Sequence, residues 1–328
     1  MNEPFVIGID IGGQTAKSGV VNARGEVLAQ TIMVSNKHQD ADEFVAALAA
    51  TITKLISDAG IEGQVRGVGV GAPNGNYYTG EIKDAPNLPW AHEKNIPFAK
   101  MLSAHLDGLP VALTNDANAA AVGEMTYGAA KGLKDFIMIT LGTGVGSGIV
   151  IDGKVVYGHD GFAGELGHTC AVRGGRMCNC GKQGCLEAYC SAIGVARSAV
   201  DWLEQHPDEP SLLRLRENIT SKDVYEAAKA GDKGAKEIFD FTGKLLGRSF
   251  ADFIAFSAPE AIVLFGGLAR AREFLYEPIV ESMNDNVLPL WKDKVKILFS
   301  SLSESDAAIL GASALAWDLN SSINIQFI

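Results

Sequence analysis

A strand, a glycine turn and a returning strand open this chain, and the same order recurs later; that recurrence narrows the fold more than any other feature. Residues 5–10 form an apolar run, Gly12 and Gly13 interrupt it, and residues 16–21 resume it. Further along, residues 136–141, the run Gly142-Thr143-Gly144-Val145-Gly146-Ser147-Gly148 and residues 149–151 repeat the pattern. Short apolar runs bounded by glycine read as strands. Behind the first hairpin, Phe44, Val45, Leu48, Ile52, Leu55 and Ile56 fall at helical spacing, and residues 65–70 alternate with glycine as a strand. Residues 111–114 are a short strand running into a helix from Asp116 to about Ala129.

Two halves that each open on a glycine-turn hairpin are what a duplicated, ribonuclease H-like pair of lobes would show. The length of 328 residues also exceeds one ordinary core. The expected fold is α/β and two-lobed. Residues 1–114 form a smaller N-terminal lobe, 115–305 a larger C-terminal lobe, and 306–328 a C-terminal helix packing back on the first lobe. Ser305 or Asp306 is the expected cap of that helix. Residues 73–89, rich in glycine, proline and asparagine, read as a long functional loop beside a cleft.

Composition excludes several classes of function. Hydrophobic residues make up 47% and charged residues 20%, which places the chain among folded proteins. A formal charge of −11 argues against a nucleic-acid or anionic-membrane surface and for small-molecule partners. Residues 1–5 lack a basic segment followed by an apolar core, and no run of about 18 apolar residues occurs. A cytoplasmic location is expected.

The three glycine turns, Gly12-Gly13, the run from Gly142 to Gly148 and Gly266-Gly267, suit phosphate. Without a Cβ, their main-chain amides can approach phosphate oxygens closely, and Thr15 and Thr143 add hydroxyls. Any one of them alone is an ordinary turn. The Gly142 run is no dinucleotide fingerprint, because that motif must enter a helix, whereas here a strand follows. Gly-x-x-x-x-Gly-Lys-Ser/Thr is absent, which excludes a P-loop enzyme. Asp10, at the end of the first strand, can hold a water on Mg²⁺ or serve as a turn former. Asn115 or Asp116, read alone, is a helix N-cap.

All five cysteines, Cys170, Cys178, Cys180, Cys185 and Cys190, are bunched together. An odd, clustered set suggests metal binding over a disulfide framework. His168 with Cys178, Cys180 and Cys185 supplies one imidazole and three thiols, a tetrahedral Cys₃His zinc set, and Gly181 and Gly184 let the chain fold back. No ligand position is left open, so the metal is structural. The alternative is three buried or free thiols. Cys170 competes with His168 for the fourth place, and Cys190 reads as a small buried thiol.

In this order, Asp10-Ile11-Gly12-Gly13, Asn115-Asp116, Gly142-Thr143-Gly144-Val145-Gly146, Glu165-x-Gly167-His168, Cys178-x-Cys180-Gly181-x-x-Gly184-Cys185-x-Glu187 and Gly266-Gly267 resemble the ROK family of sugar kinases and sugar-responsive repressors. The resemblance runs from about Phe5 to the last helix. It implies an actin-like fold with ATP between the lobes, Mg²⁺ on its phosphates and a hexose against the second lobe. It makes Asp116 the base and Asn115 its hydroxyl-binding neighbour. Glu165 and Glu187 become sugar-gripping carboxylates, and His168 both a zinc ligand and a sugar contact. Asp10, Gly12, Gly13, Gln14, Thr15, Gly142, Thr143, Gly144, Gly266 and Gly267 fall to the nucleotide. One departure is Gln14: family kinases commonly carry Thr directly after the glycine pair.

Such a protein transfers the terminal phosphate of ATP to a sugar, a reaction that needs a proton acceptor, a cation and in-line placement. Glucose leads among the acceptors. N-acetylmannosamine, N-acetylglucosamine, mannose, fructose and allose kinases share the motifs, and Asn74 and Asn76 are placed to touch the sugar's 2-position. Paired carboxylates also serve glycosidases, but that reading leaves the glycine turns unexplained. A repressor would need a helix-turn-helix module before Asp10, where nine residues stand. Gln14 motivates a third reading, a sugar-binding relative without catalysis. A homodimer or higher homo-oligomer is expected from the family.

Overall fold

The structure is a computed structural model, and it describes residues 4–302 and 304–319. These fall into two compact units. One takes in the chain up to Gly132, Val155–Ala163 and the residues from Ser301 on; the other takes in Leu133–Lys154 and Gly164–Ser300.

In the first unit, strands β1 (Phe5–Ile11), β2 (Thr15–Asn22) and β3 (Val27–Val34) form an antiparallel meander. Helix α1 (Ala41–Asp58) follows, then β4 (Val65–Gly71), the small hairpin of β5 (Ile82–Lys83) and β6 (Asn95–Ile96), helix α2 (Phe98–His105), β7 (Val111–Thr114) and helix α3 (Asp116–Tyr127). The main sheet has the order β3-β2-β1-β4-β7, with β1, β4 and β7 parallel. Helix α1 forms where the periodicity places it. Asp40 caps it by accepting from the amides of Asp42 and Glu43, and Phe44, Val45, Leu48, Ile52 and Leu55 are buried. Phe44 stacks on Trp90 at 4.2 Å between ring centroids, which draws the 73–89 loop into this core.

The helix Glu304–Asp318 covers the other face of the sheet, where Ile309 and Leu310 meet Val6 and Val21. Its backbone lies so close that a Cβ at Gly8 or Gly69 would meet the carbonyl of Ile309 or Ala312. It begins at Glu304, so Ser305 and Asp306 fall inside its first turn. Ser303 lies outside the described residues, as do residues 320–328. The division after residue 114 also differs from the observed units. Ala119 and Val122 of α3 pack on Ala314 and Leu315, so α3 belongs with the first unit.

The second unit repeats the first in its sheet. Strands β8 (Phe136–Leu141), β9 (Val145–Ile151), β10 (Lys154–Val155), β11 (Ala261–Phe265) and β12 (Lys296–Phe299) are ordered β10-β9-β8-β11-β12. Strands β8 and β9 are antiparallel, while β8, β11 and β12 run parallel. The helices are α4 (Glu187–Cys190), α5 (Ala192–Gln205), α6 (Ser221–Lys229), α7 (Lys233–Ser257) and α8 (Arg272–Asn286). Ile238, Phe239, Leu246, Phe250 and Ile254 of α7 are buried against Leu275, Ile279 and Met283 of α8. Each large apolar side chain so covered contributes about 1.5–3 kcal/mol.

Candidate active site

In open α/β sheets, ligands meet the chain beyond the carboxyl ends of parallel strands. At that end of the first sheet, Asp10 pairs with Gly71 and Gly71 with Thr114, which sets Asp10 level with the close of β7. Two residues on, α3 begins at Asp116. Asn115 is its N-cap: Oδ1 accepts the Asn118 amide at 2.9 Å. The cap therefore falls to Asn115, and Asp116 Oδ1 takes the amide of Ala117 at 2.8 Å.

Both carboxyls are harder to ionise than usual. For Asp10 the pKa rises to about 6, through burial first and the negative charge of Asp116 second, while its cross-strand partner Lys17 pulls it down. Asp116 keeps an open surface with protein crowded around the rest of it, and this dehydration raises its pKa; the Ala117 amide opposes the rise. The helix N-terminus favours the ionised form. That contribution is present but smaller than the dehydration.

The first glycine turn is fastened from behind. The Gly12 amide donates to Thr15 O at 2.9 Å, and Ser35 Oγ donates to Gly12 O at 2.8 Å. Gln14 points outward and its Oε1 accepts from Asn36 Nδ2 at 2.6 Å, while Thr15 opens β2. Gly13 sits beside Asn87. Ser35 and Asn36 were not singled out from the sequence; they follow β3, which was itself missed.

In the second unit the turn between β8 and β9 is shorter than the glycine run, because Gly146 and Gly148 lie within β9. The turn proper is Gly142-Thr143-Gly144, with Thr143 exposed. The amide of Gly142 donates to Gly144 O at 3.0 Å. A Cβ at Gly144 would run into the carboxylate of Glu187, so close approach is what demands glycine there. Gly266 has φ of 103° and lies against Leu141 O, which brings the turn Gly266-Gly267 beside Gly142 at the carboxyl ends of β8 and β11.

Glu187 opens α4, and its Oε2 accepts the Val145 amide at 2.9 Å while Oε1 lies 3.5 Å from Cys178 Sγ. Glu165 is exposed and precedes the short turn Leu166–His168, which Ser147 ties to β9 by accepting the Leu166 amide at 3.0 Å. Beyond it, Gly181 and Gly184 take φ of 84° and 81° and fold the cysteine loop back. Among the described residues, the donor atoms of His168, Cys178, Cys180 and Cys185 all lie within 4.8 Å of one another. Cys178 Sγ is 3.7 Å from His168 Nδ1, and Cys180 Sγ is 3.6 Å from Cys185 Sγ. Ligands about 2.3 Å from a tetrahedral centre stand about 3.8 Å apart, so this set fits a zinc ion. Burial pushes the Cys178 thiol up to about 12. Cys170 is exposed and outside the set; Cys190 is a buried thiol whose pKa burial raises.

Asn74 and Asn76 are engaged elsewhere. Asn74 Nδ2 donates to Asp84 O at 2.7 Å. Asn76 is wholly buried, donates to Asp160 O at 2.6 Å and accepts from the amides of Tyr78 and Thr79. Their polar groups hold the loop, which leaves Asn76 no place at a sugar hydroxyl.

Two sheets of one strand order, each with glycine turns at the carboxyl ends of its parallel strands, place the chain in the actin-like class of folds. Within that class it belongs to the ROK family, whose family model matches residues 6–318. The chain is 35% identical over 316 residues to a glucokinase of Halalkalibacterium halodurans, covering 95% of this chain and 94% of that protein. It is 34% identical to a glucokinase of Thermotoga maritima, with 94% and 96% covered. A crystal structure of a ROK family glucokinase from Streptomyces griseus, in complex with glucose and AMPPNP, superposes with a TM-score of 0.78 at 33% identity, covering 96% of this chain and 99% of that one.

Proposed function

We propose that this protein is an ATP-dependent hexose kinase that moves the γ-phosphate of ATP to a sugar hydroxyl, with glucose as the leading acceptor. The observation that carries the reading is Asp116, with an open surface and a raised pKa, at the carboxyl end of the sheet that also bears Asp10. The glucokinase names of its relatives support the choice of sugar.

Asp116 accepts the proton of the attacking hydroxyl. A base is most effective when its pKa approaches the working pH, and dehydration moves Asp116 in that direction. With Oδ1 on the Ala117 amide, Oδ2 is the atom for the substrate. Asn115 uses Oδ1 in the cap, so its Nδ2 is the group that meets a hydroxyl. Asp10 would hold the Mg²⁺ that accompanies the nucleotide, through a water. That cation supplies charge neutralisation on the phosphates, and two carboxylates that repel one another suit it. Amides of Gly12, Gly13, Gln14 and Thr15, of Gly142, Thr143 and Gly144, and of Gly266 and Gly267 are the groups for the nucleotide's phosphates.

Glu165, His168 and Glu187 bind sugar hydroxyls, which rejects analogues lacking them. His168, Cys178, Cys180 and Cys185 hold zinc, which supplies a structural cross-link for the loop that carries them. The test of the function is a coupled assay of ADP release over hexoses and N-acetylhexosamines. Turnover with glucose above the others is expected; no ATP-dependent phosphorylation of any sugar would contradict the reading.

A further inference from the structure

We propose that Arg176 is a positioning residue for Glu187, an inference that rests on the sugar-binding role given to Glu187 above. Arg176 belongs to neither the thiol set nor a glycine turn, yet its side chain is only 16% exposed. Its Nη1 lies 3.1 Å from Ala188 O, 3.2 Å from Gly194 O and 3.0 Å from Ser198 Oγ. Nη2 meets Asp201 Oδ2 at 2.5 Å. The guanidinium lies 4.5 Å from the centroid of the Tyr189 ring, and the Tyr189 hydroxyl accepts the backbone amide of Arg176 at 2.7 Å. Every partner is in the second unit.

The elements joined this way explain what the fork does. Helix α4 has four residues, too few to hold its own direction. Ala188, whose carbonyl Arg176 grips, is the neighbour of Glu187. Gly194, Ser198 and Asp201 lie on α5, which is long enough to serve as a rigid base. Arg176 O in turn accepts the Gly184 amide at 2.8 Å, inside the cysteine loop. The guanidinium thus joins α4 to α5, the Arg176 carbonyl joins the same residue to the loop, and with α4 so directed Glu187 reaches Val145 N and Cys178 Sγ together. Lysine lacks the planar fork that spans these acceptors. Asp201 supplies the counter-charge a mostly buried cation needs.

A purely structural clamp and a positioning residue leave different marks. The test measures sugar Kd without ATP, KM for sugar and for ATP, zinc content and Tm in R176M and D201N. Positioning predicts a sugar Kd and KM raised about tenfold in R176M, with ATP KM and bound zinc unchanged. D201N, which keeps the guanidinium, shifts sugar Kd the same way by less, and it carries the test should R176M not fold. Added guanidinium ion, well below denaturing concentration, restores part of the sugar affinity of R176A. Unchanged sugar Kd in the folded variants overturns the proposal, as does a joint drift of sugar, ATP and zinc binding with Tm. A wild-type protein that takes no hexose removes the function and this inference with it. A working wild-type kinase whose R176M variant keeps its sugar affinity removes the inference alone.

Discussion

Asp10 and Thr114 both pair with Gly71, from either side, and so the strand that carries Asp10 near its end and the helix that begins at Asp116 meet at the same edge of one sheet. Strands lie about 4.8 Å apart, so the two outer strands are about 10 Å from one another. At that range the negative charge of Asp116 is felt by Asp10 and makes it easier to protonate.

One consequence is a pH dependence of the ligand-free protein. The raised pKa of Asp10 means that the native state binds its proton more tightly than the unfolded chain between about pH 4 and 6. Stability from this group is therefore fully present below the unfolded pKa and is lost as pH rises through about 6. Asp10→Asn should gain on the wild type across that window, by an amount of order 1 kcal/mol at neutral pH. Its KM for Mg-ATP should rise. Melting curves of the two proteins from pH 4 to 7 check the claim, and parallel curves would count against it.

Gly142 and Gly144 should part company when given a methyl group. A Cβ at Gly144 displaces the Glu187 carboxylate from the Val145 amide, so Gly144→Ala should lose about 1–3 kcal/mol and weaken sugar binding. Nothing stands within 4 Å of a Cβ at Gly142, so Gly142→Ala should melt like the wild type and raise only the KM for ATP. Denaturant titration with steady-state kinetics separates the two; equal stability of both variants would contradict the packing argument.

The thiol set should hold about one zinc per chain. Removing it by chelation, or through Cys180→Ala, should lower Tm sharply, since such sites contribute about 10–16 kcal/mol of apparent binding energy. Cys170→Ala should change neither metal content nor Tm, because Cys170 lies outside the set. Elemental analysis of the three proteins decides.

Much of this was legible in the residues, for identifiable reasons. Strands β1 and β8 are buried along almost their whole length, so they read as apolar runs that glycine breaks. Helix α1 presents one apolar face and therefore shows its period. By contrast, β3 is an edge strand that alternates half-buried with exposed positions, and Gln30 and Thr31 interrupt its apolar character. The membership of α3 depends on a helix nearly two hundred residues further along the chain, a contact that local pattern does not encode. Asn74 and Asn76 looked like ligand groups because the hydrogen bonds that occupy them, to Asp84 and Asp160, are made only in the folded loop. Arg176 carries no signal at all in sequence; its partners come from two helices that follow it.

The account stands on Asp116 as the proton acceptor. Its most direct test is the turnover of Asp116→Asn with saturating glucose and Mg-ATP, alongside its glucose Kd. The predicted result is a kcat lower by about 10²–10⁴ with glucose affinity retained. Turnover close to that of the wild type would place the base elsewhere.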